Sequence, residues 1–309
     1  MNLLCPFITK SGWIYSLASP KQGQGYVFGN PMYYPDINGT RIINGNSFSK
    51  FYRQIQNVSP WKQPYAFEPS IDPWAAMIPE DEILSTIEIT NCFSKWISKS
   101  DERAEVVKNI VASSGLLTDC IGITGSVSLG CQTSDSDVDV IIYGTQNLNK
   151  CLKVIEELLL RNSIRLMTEK TARGYADRYG RLYSIDGSAL FEIFLRDITK
   201  IYVNDKKISI IFAYHVDEFV DIPDSIYKNS LLTTKFKAKI VTSTLSWFYP
   251  RKYLVQKGDG SFASVWSHHW LYKAMAPIGT FVEICADEIN SSTYVLTGLN
   301  HHILPTKKT

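Results

Sequence analysis

No stretch of the 309 residues approaches the roughly 18 consecutive apolar residues that a membrane helix requires, so no membrane span is expected. Met1 to Trp13 lacks a charged start followed by a long apolar core, so a signal peptide is not expected and a cytoplasmic location is. The six cysteines, at positions 5, 92, 120, 131, 151 and 285, include no Cys-x-x-Cys pair, which argues against a zinc ribbon and for buried thiols in a reducing compartment. Net charge is only +2, so any surface for nucleic acid must be local. A hydrolase elbow centred on Ser128 would need glycine at 126, where Ser126 stands. Gly23, Gly25 and Gly29 have the wrong spacing for a dinucleotide fingerprint.

What is present divides the chain in three. Residues 1–78 are rich in Gly, Pro, Asn and Tyr, with short apolar runs between turn signals, and are expected to form a β-rich segment that ends in a linker marked by Pro60, Pro64, Pro69 and Pro73. Residues 79–205 change character. A helix is expected from the acidic start Glu80-Asp81-Glu82 through Ile83, Leu84, Ile87, Ile89, Phe93 and Trp96, and a second from Asp101 to Gly115. Strands are expected at 120–124 and 138–143, a helix at 147–161, and further strands at 164–167 and 189–195 around a polar, Arg-rich stretch. Residues 206–309 return to short β-like runs, with one segment, 224–248, that could hold a helix. The expected fold is therefore α+β. A central domain with a mixed sheet and helices on one side lies between an N-terminal β-rich segment and a C-terminal β-barrel-like domain.

The segment that carries chemistry is 122–142. An apolar strand runs into Gly125-Ser126, where glycine lets the backbone bend and approach a ligand closely, and successive N–H groups with a serine hydroxyl can hold phosphate. Asp137 and Asp139 are two apart at the head of a strand, so their side chains share one face, while Val138, Val140 and Ile142 point the other way into a core. Two adjacent carboxylates repel unless a cation neutralises them, and Mg²⁺ is the hard cation that such oxygens, with substrate phosphates, commonly hold.

A Gly-Ser turn followed ten residues later by Asp-Val-Asp-Val between hydrophobics resembles the signature of the DNA polymerase β-like nucleotidyltransferase superfamily. More narrowly, the chain is similar to archaeal nucleotidyltransferases with flanking β-rich segments, through Thr9 to Tyr15 and Pro31 to Pro35. The resemblance implies that Gly125 and Ser126 hold a nucleoside triphosphate. It implies that Asp137 and Asp139 bind two Mg²⁺ ions, and that a third carboxylate on a later strand activates an acceptor hydroxyl. Glu192, a charge within Leu190-Phe191-Glu192-Ile193-Phe194, is the first candidate for that carboxylate, as catalytic residue and metal ligand, with Asp186 and Asp197 as alternatives. The implied activity transfers NMP from an NTP to a hydroxyl acceptor and releases pyrophosphate. The other reading is a nucleotide- or RNA-binding module that keeps the fold without turnover.

Lys170, Arg173, Arg178 and Arg181 could meet the triphosphate, or could be a solvated loop. Between Ile226 and Gly258 there are seven Lys or Arg and no Asp or Glu, with aromatics interleaved. An RNA acceptor could bind there through Lys235, Lys237, Lys239, Arg251 and Lys252, or the aromatics could be barrel core. The pairs His268-His269 and His301-His302 are neighbours that face opposite ways on a strand and are expected to be plain polar residues.

Overall fold

The structure is a computed structural model that describes residues 2–19, 25–51, 64–66, 75–183, 185–218, 232–274, 276–298 and 300–306. Pro60, Pro69 and Pro73 of the expected linker lie outside the described residues. The chain forms two compact units. The first comprises Met1–Glu68, Trp74–Arg165 and Ile198–Glu218, and the second comprises Pro69–Pro73, Leu166–Asp197 and Phe219–Thr309.

The first unit opens with β1 (Pro6–Thr9), β2 (Ile14–Ser19), β3 (Tyr26–Pro35), β4 (Arg41–Ile43), β5 (Asn46–Lys50), β6 (Ala76–Pro79) and β7 (Ile83–Thr86). These seven form one antiparallel sheet in the order β4-β5-β3-β2-β1-β7, with β6 added on β3. Alternation along β2 explains why both of its faces are covered. Tyr15 and Leu17 enter one apolar cluster with Phe7, Trp13 and Ile78, while Ile14 enters another with Tyr33, Phe48, Leu129 and Cys131. The helix expected from Glu80 begins later, because Ile83 to Thr86 pair with β1 as an edge strand. It is α1 (Ile89–Ile97), followed by α2 (Glu102–Ser114), which Asp101 caps by accepting from Arg103 N.

Next come β8 (Ile121–Thr124), α3 (Gly125–Ser128), β9 (Val138–Tyr143), α4 (Leu148–Leu160), and, after an excursion into the second unit, β10 (Lys200–Val203) and β11 (Lys206–Ala213). Within this unit the strand order is β10-β11-β9-β8, with β9 and β11 parallel and the other pairs antiparallel. Gly122 lets α1 lie directly on β8: a Cβ there would stand 2.7 Å from the Ile89 side chain. Isoleucines and valines of β8, β9 and β11 are buried nearly throughout.

The second unit holds α5 (Glu169–Tyr183), α6 (Gly187–Arg196), β12 (Leu232–Thr242), the two-residue β13 (Phe248–Tyr249), β14 (Arg251–Lys257), β15 (Phe262–Ser267), β16 (Phe281–Asn290), β17 (Thr293–Leu296) and β18 (His302–Pro305). Five strands close a ring in the order β12-β14-β15-β17-β16 and back to β12, with β15 and β17 parallel and β18 added outside on β16. Closure leaves no open edge among the five.

The expected α+β architecture, organised on a helix-flanked mixed sheet, is corrected. Among the described residues the chain is β-rich, 39% strand against 31% helix, and is built on three sheets, one of them a closed five-strand barrel. Two of the strands assigned to the central domain are not strands. Residues 189–195 lie in α6, and 164–167 contribute only an isolated bridge, Arg165 to Tyr202. The polar stretch between them is helix α5. In the segment 224–248, the described residues from Leu232 are mainly strand. No helix among the described residues is long and apolar enough to cross a membrane.

Candidate nucleotide and metal site

Asp139 is the second residue of β9, opposite Thr124 of β8 on one side and Ser209 of β11 on the other. Thr124 leads directly into Gly125, whose φ of +70° is left-handed backbone that side chains resist. A Cβ on Gly125 would stand 2.7 Å from Asp139 Oδ2. The bend and the carboxylate are thus apposed, and only hydrogen at the 125 α-carbon leaves room between them. Gly125→Ala is expected to destabilise the first unit by about 1–3 kcal/mol, through both strain and collision. Denaturant melts of the wild type and the variant measure the loss.

The loop from Ser126 to Asp137 is fixed at both ends. Cys131 N donates to Ser126 O at 3.0 Å, Arg41 reaches Cys131 O at 2.9 Å, and Arg103 reaches Ser136 O at 2.8 Å. Arg103 is held in turn by a two-pronged bond to Asp101. Leu129 and Cys131 are anchored in the apolar cluster of the N-terminal sheet. The loop is therefore held by core packing and arginine forks, which sets the direction of the bend before any ligand arrives.

The two carboxyls differ in environment. Burial and the neighbouring charge of Asp137 push the Asp139 carboxyl up to about 6, against weaker pulls from Lys207, Lys50 and a hydrogen bond with Ser209. Burial is the largest single influence on Asp137 and opposes its charge, but Lys207, with Nζ 2.6 Å from Asp137 Oδ2, together with Lys50 and a backbone hydrogen bond holds that carboxyl below its ordinary value. Lys50, at the end of β5, adds positive potential to both. Lys50, Lys207 and Ser209 are members of the site that sequence reasoning missed. Lys207 and Ser209 enter through the parallel pairing of β9 with a strand about 70 residues on, which no local spacing announces.

The donor set, two carboxylates flanked by a serine hydroxyl, is all oxygen and fits a hard cation. Asp139 and the remaining oxygen of Asp137 would hold it. Lys207 already takes one oxygen of Asp137, at 2.6 Å, and the oxygens that remain fit one ion. No group of three or more His, Cys, Asp or Glu placed to share an ion occurs among the described residues.

Gly125, Ser126, Asp137 and Asp139 come together in the first unit, whereas the other candidates belong to the second. The sequence places Glu192 as a charge inside a strand. It stands instead on the exposed side of α6, paired with Arg196 at 3.2 Å as an i,i+4 neighbour. Asp186 caps α6 through Ser188 N, and Asp197 pairs with Lys273 at 2.9 Å. On α5, Lys170 is exposed, Arg173 lies over the Phe191 ring at 4.6 Å and Arg178 over Tyr179 at 5.8 Å. Of the residues considered for RNA, Lys235 pairs with Glu283, Lys252 lies over Trp266, and Lys237 and Lys239 are exposed. Arg251 is corrected: it is only 3% exposed, and its guanidinium is directed to the carbonyls of Phe248, His269 and Trp270. His269 bonds Tyr183 Oη, and His301 Nδ1 accepts from Thr297 N and Gly298 N.

Comparison of this chain with protein-family models, with curated proteins and with solved structures finds no match to any of them.

Proposed function

We propose that the first unit binds a nucleoside triphosphate with one magnesium ion and transfers the nucleoside monophosphate to a hydroxyl acceptor. The acceptor hydroxyl oxygen forms a bond to the α-phosphorus and its proton passes to solvent, the bond from that phosphorus to the bridging oxygen breaks, and pyrophosphate leaves. The observation that carries this reading is the apposition of the Gly125 bend and the Asp139 carboxylate, 2.7 Å from where a Cβ would stand. A bend of this kind presents backbone N–H groups to phosphate. Asp137 and Asp139 supply hard oxygen ligands within reach of the same phosphates. The magnesium ion, when bound, would neutralise phosphate charge and polarise the phosphoryl group. Lys207 and Lys50 add fixed positive charge near the dyad, suited to a polyphosphate tail.

One observation favours a second reading, binding without turnover. The strand parallel to β9 carries Lys207 and Ser209 beside the dyad, where the resemblance to nucleotidyltransferases calls for a third carboxylate. Two measurements separate the readings. Labelled-nucleotide binding should require magnesium and weaken at least tenfold in Asp139→Asn. Incubation with each α-labelled NTP, magnesium, and RNA or protein from its native cells should leave label in one acceptor fraction, and Asp139→Asn should abolish it. Binding without label supports the second reading, and no magnesium-dependent binding discards both.

A further inference from the structure

The closed barrel of the second unit carries a row of four side chains on its outer face. Phe281 of β16 is paired with Lys239 of β12, Lys239 with Gln256 of β14, and Gln256 with Phe262 of β15. Their chain neighbours Val282, Ala238, Ile240, Val255 and Ala263 are buried in the barrel core, so the row faces solvent. Phe281 is 61% exposed and Phe262 54%. Three interstrand spacings separate them, roughly 14 Å. Lys237, also exposed, stands two residues from Lys239 on the same face of β12. Two acidic groups of β16 share this face: Glu283, opposite Lys237, is engaged by Lys235 at 2.9 Å and His302 at 3.2 Å, and Asp287, opposite Thr233, accepts from Thr233 at 2.7 Å and Thr297 at 2.8 Å.

Single exposed phenylalanines need no explanation, but two in one cross-strand row with a lysine between them form a patterned surface. A two-fold self-contact with its axis along the row would bring two Lys239 ammonium groups together, and one with its axis across the row would set Lys239 against Gln256, so neither gives the cation an anionic partner, which disfavours a second copy as the occupant. Flat apolar rings at intervals with cations beside them match a chain that alternates flat bases with phosphates. Between the rings, Gln256 carries an amide whose Nε2 donates to Gly260 O at 3.4 Å and whose oxygen can accept from a ribose 2′-hydroxyl. The basic stretch of the sequence pointed near this surface but not to it. Its Phe248, Tyr249 and Tyr253 are buried in the core, and the exposed rings come from outside it.

We propose that the Phe281–Lys239–Gln256–Phe262 row is a binding surface for single-stranded RNA, with bases stacked on the two rings and phosphates met by Lys237 and Lys239. The test is fluorescence anisotropy with a labelled twelve-nucleotide single-stranded RNA and the DNA of the same sequence, at two salt concentrations, using the full chain. Phe262→Ala and Phe281→Ala should each weaken RNA binding on the order of 5- to 100-fold, and Phe→Tyr at either position should keep it. Lys239→Ala should reduce the salt slope by about 0.7. Leu84→Ala, an equally exposed apolar change in the first unit, should alter nothing. Circular dichroism should confirm that each variant is folded, as expected for exposed positions. The proposal is overturned by absence of RNA binding, by binding that the double phenylalanine variant leaves intact, or by equally tight binding of DNA. It is also overturned if sedimentation finds a dimer that the double variant dissolves.

Discussion

Asp139→Asn should stabilise the first unit at pH 8, by on the order of 1–3 kcal/mol, while abolishing magnesium-dependent nucleotide binding and any transfer. The two effects have one cause. Burial and the adjacent Asp137 raise the Asp139 carboxyl to about 6, well above the value of an exposed aspartate. Between about pH 4 and 6 the folded protein therefore holds a proton that the unfolded chain has released. Stability falls as pH rises through that window and stays low above it. Asparagine keeps the shape and can still meet Ser209, but carries no charge to bury, so the penalty disappears along with the cation ligand. Asp137→Asn should have the opposite sign. Lys207 holds the Asp137 carboxyl below its ordinary value, so that pair contributes stability above about pH 4 and loses it as pH falls further. Removing the charge strands Lys207 and should cost about 1 kcal/mol at pH 8. Urea melts of the wild type and both variants at pH 5 and pH 8 read the contrast directly. An Asp139→Asn protein less stable than wild type at pH 8 would mean that the pair is not repulsive. The environment would then not be poised for a cation, and the candidate site would lose its main physical argument.

How much of this was legible in the sequence varied with the kind of pairing involved. β8 and β9 could be read because each is a short apolar run, and the Gly125 bend and the Asp137/Asp139 spacing lie between and within them. These are local signals, settled within about twenty residues. The α6 helix was misread because Leu190-Phe191-Glu192-Ile193-Phe194 satisfies two periods at once. In the structure Leu190 and Phe194 are the buried pair, four apart, and Glu192 falls on the far side. The Asp186 cap was the available helix signal, and an apolar run with one charge outweighed it. Helix α5 buries Ala172, Ala176 and Tyr183, a stripe too small in side-chain volume to stand out among its arginines and lysines. Lys207 and Ser209 were illegible for a different reason. Parallel strands are joined through long connections, so the residues beside Asp137 and Asp139 are set by topology rather than spacing. The same holds for the outer row of the barrel, whose four members come from four strands.

Arg251→Ala is the substitution expected to damage the second unit most, by on the order of 3–5 kcal/mol. The guanidinium is buried at the first residue of β14, and its three nitrogens reach Phe248 O at 2.9 Å, His269 O at 3.1 Å and Trp270 O at 3.3 Å. It thereby ties the entry to β14 to the turn that follows β15. Tyr253, two residues along β14, reinforces the link by donating its hydroxyl to Tyr272 O at 2.7 Å. Truncation to alanine would take the guanidinium from three carbonyls, of which His269 O still accepts from Tyr272 N at 3.3 Å, and open a cavity among aromatic rings, and both losses add. Lysine is not a conservative replacement: one ammonium on a flexible stem cannot span acceptors arranged for a planar fork, so Arg251→Lys should still cost about 2 kcal/mol or more. The neighbouring Lys252 gives the control. Its ammonium lies over the Trp266 ring at 4.7 Å on the outer face, and Lys252→Ala should cost about 1 kcal/mol or less. Denaturant melts followed by tryptophan fluorescence measure all three. If Arg251→Ala unfolds within about 1 kcal/mol of the wild type, the fork is not a structural tie.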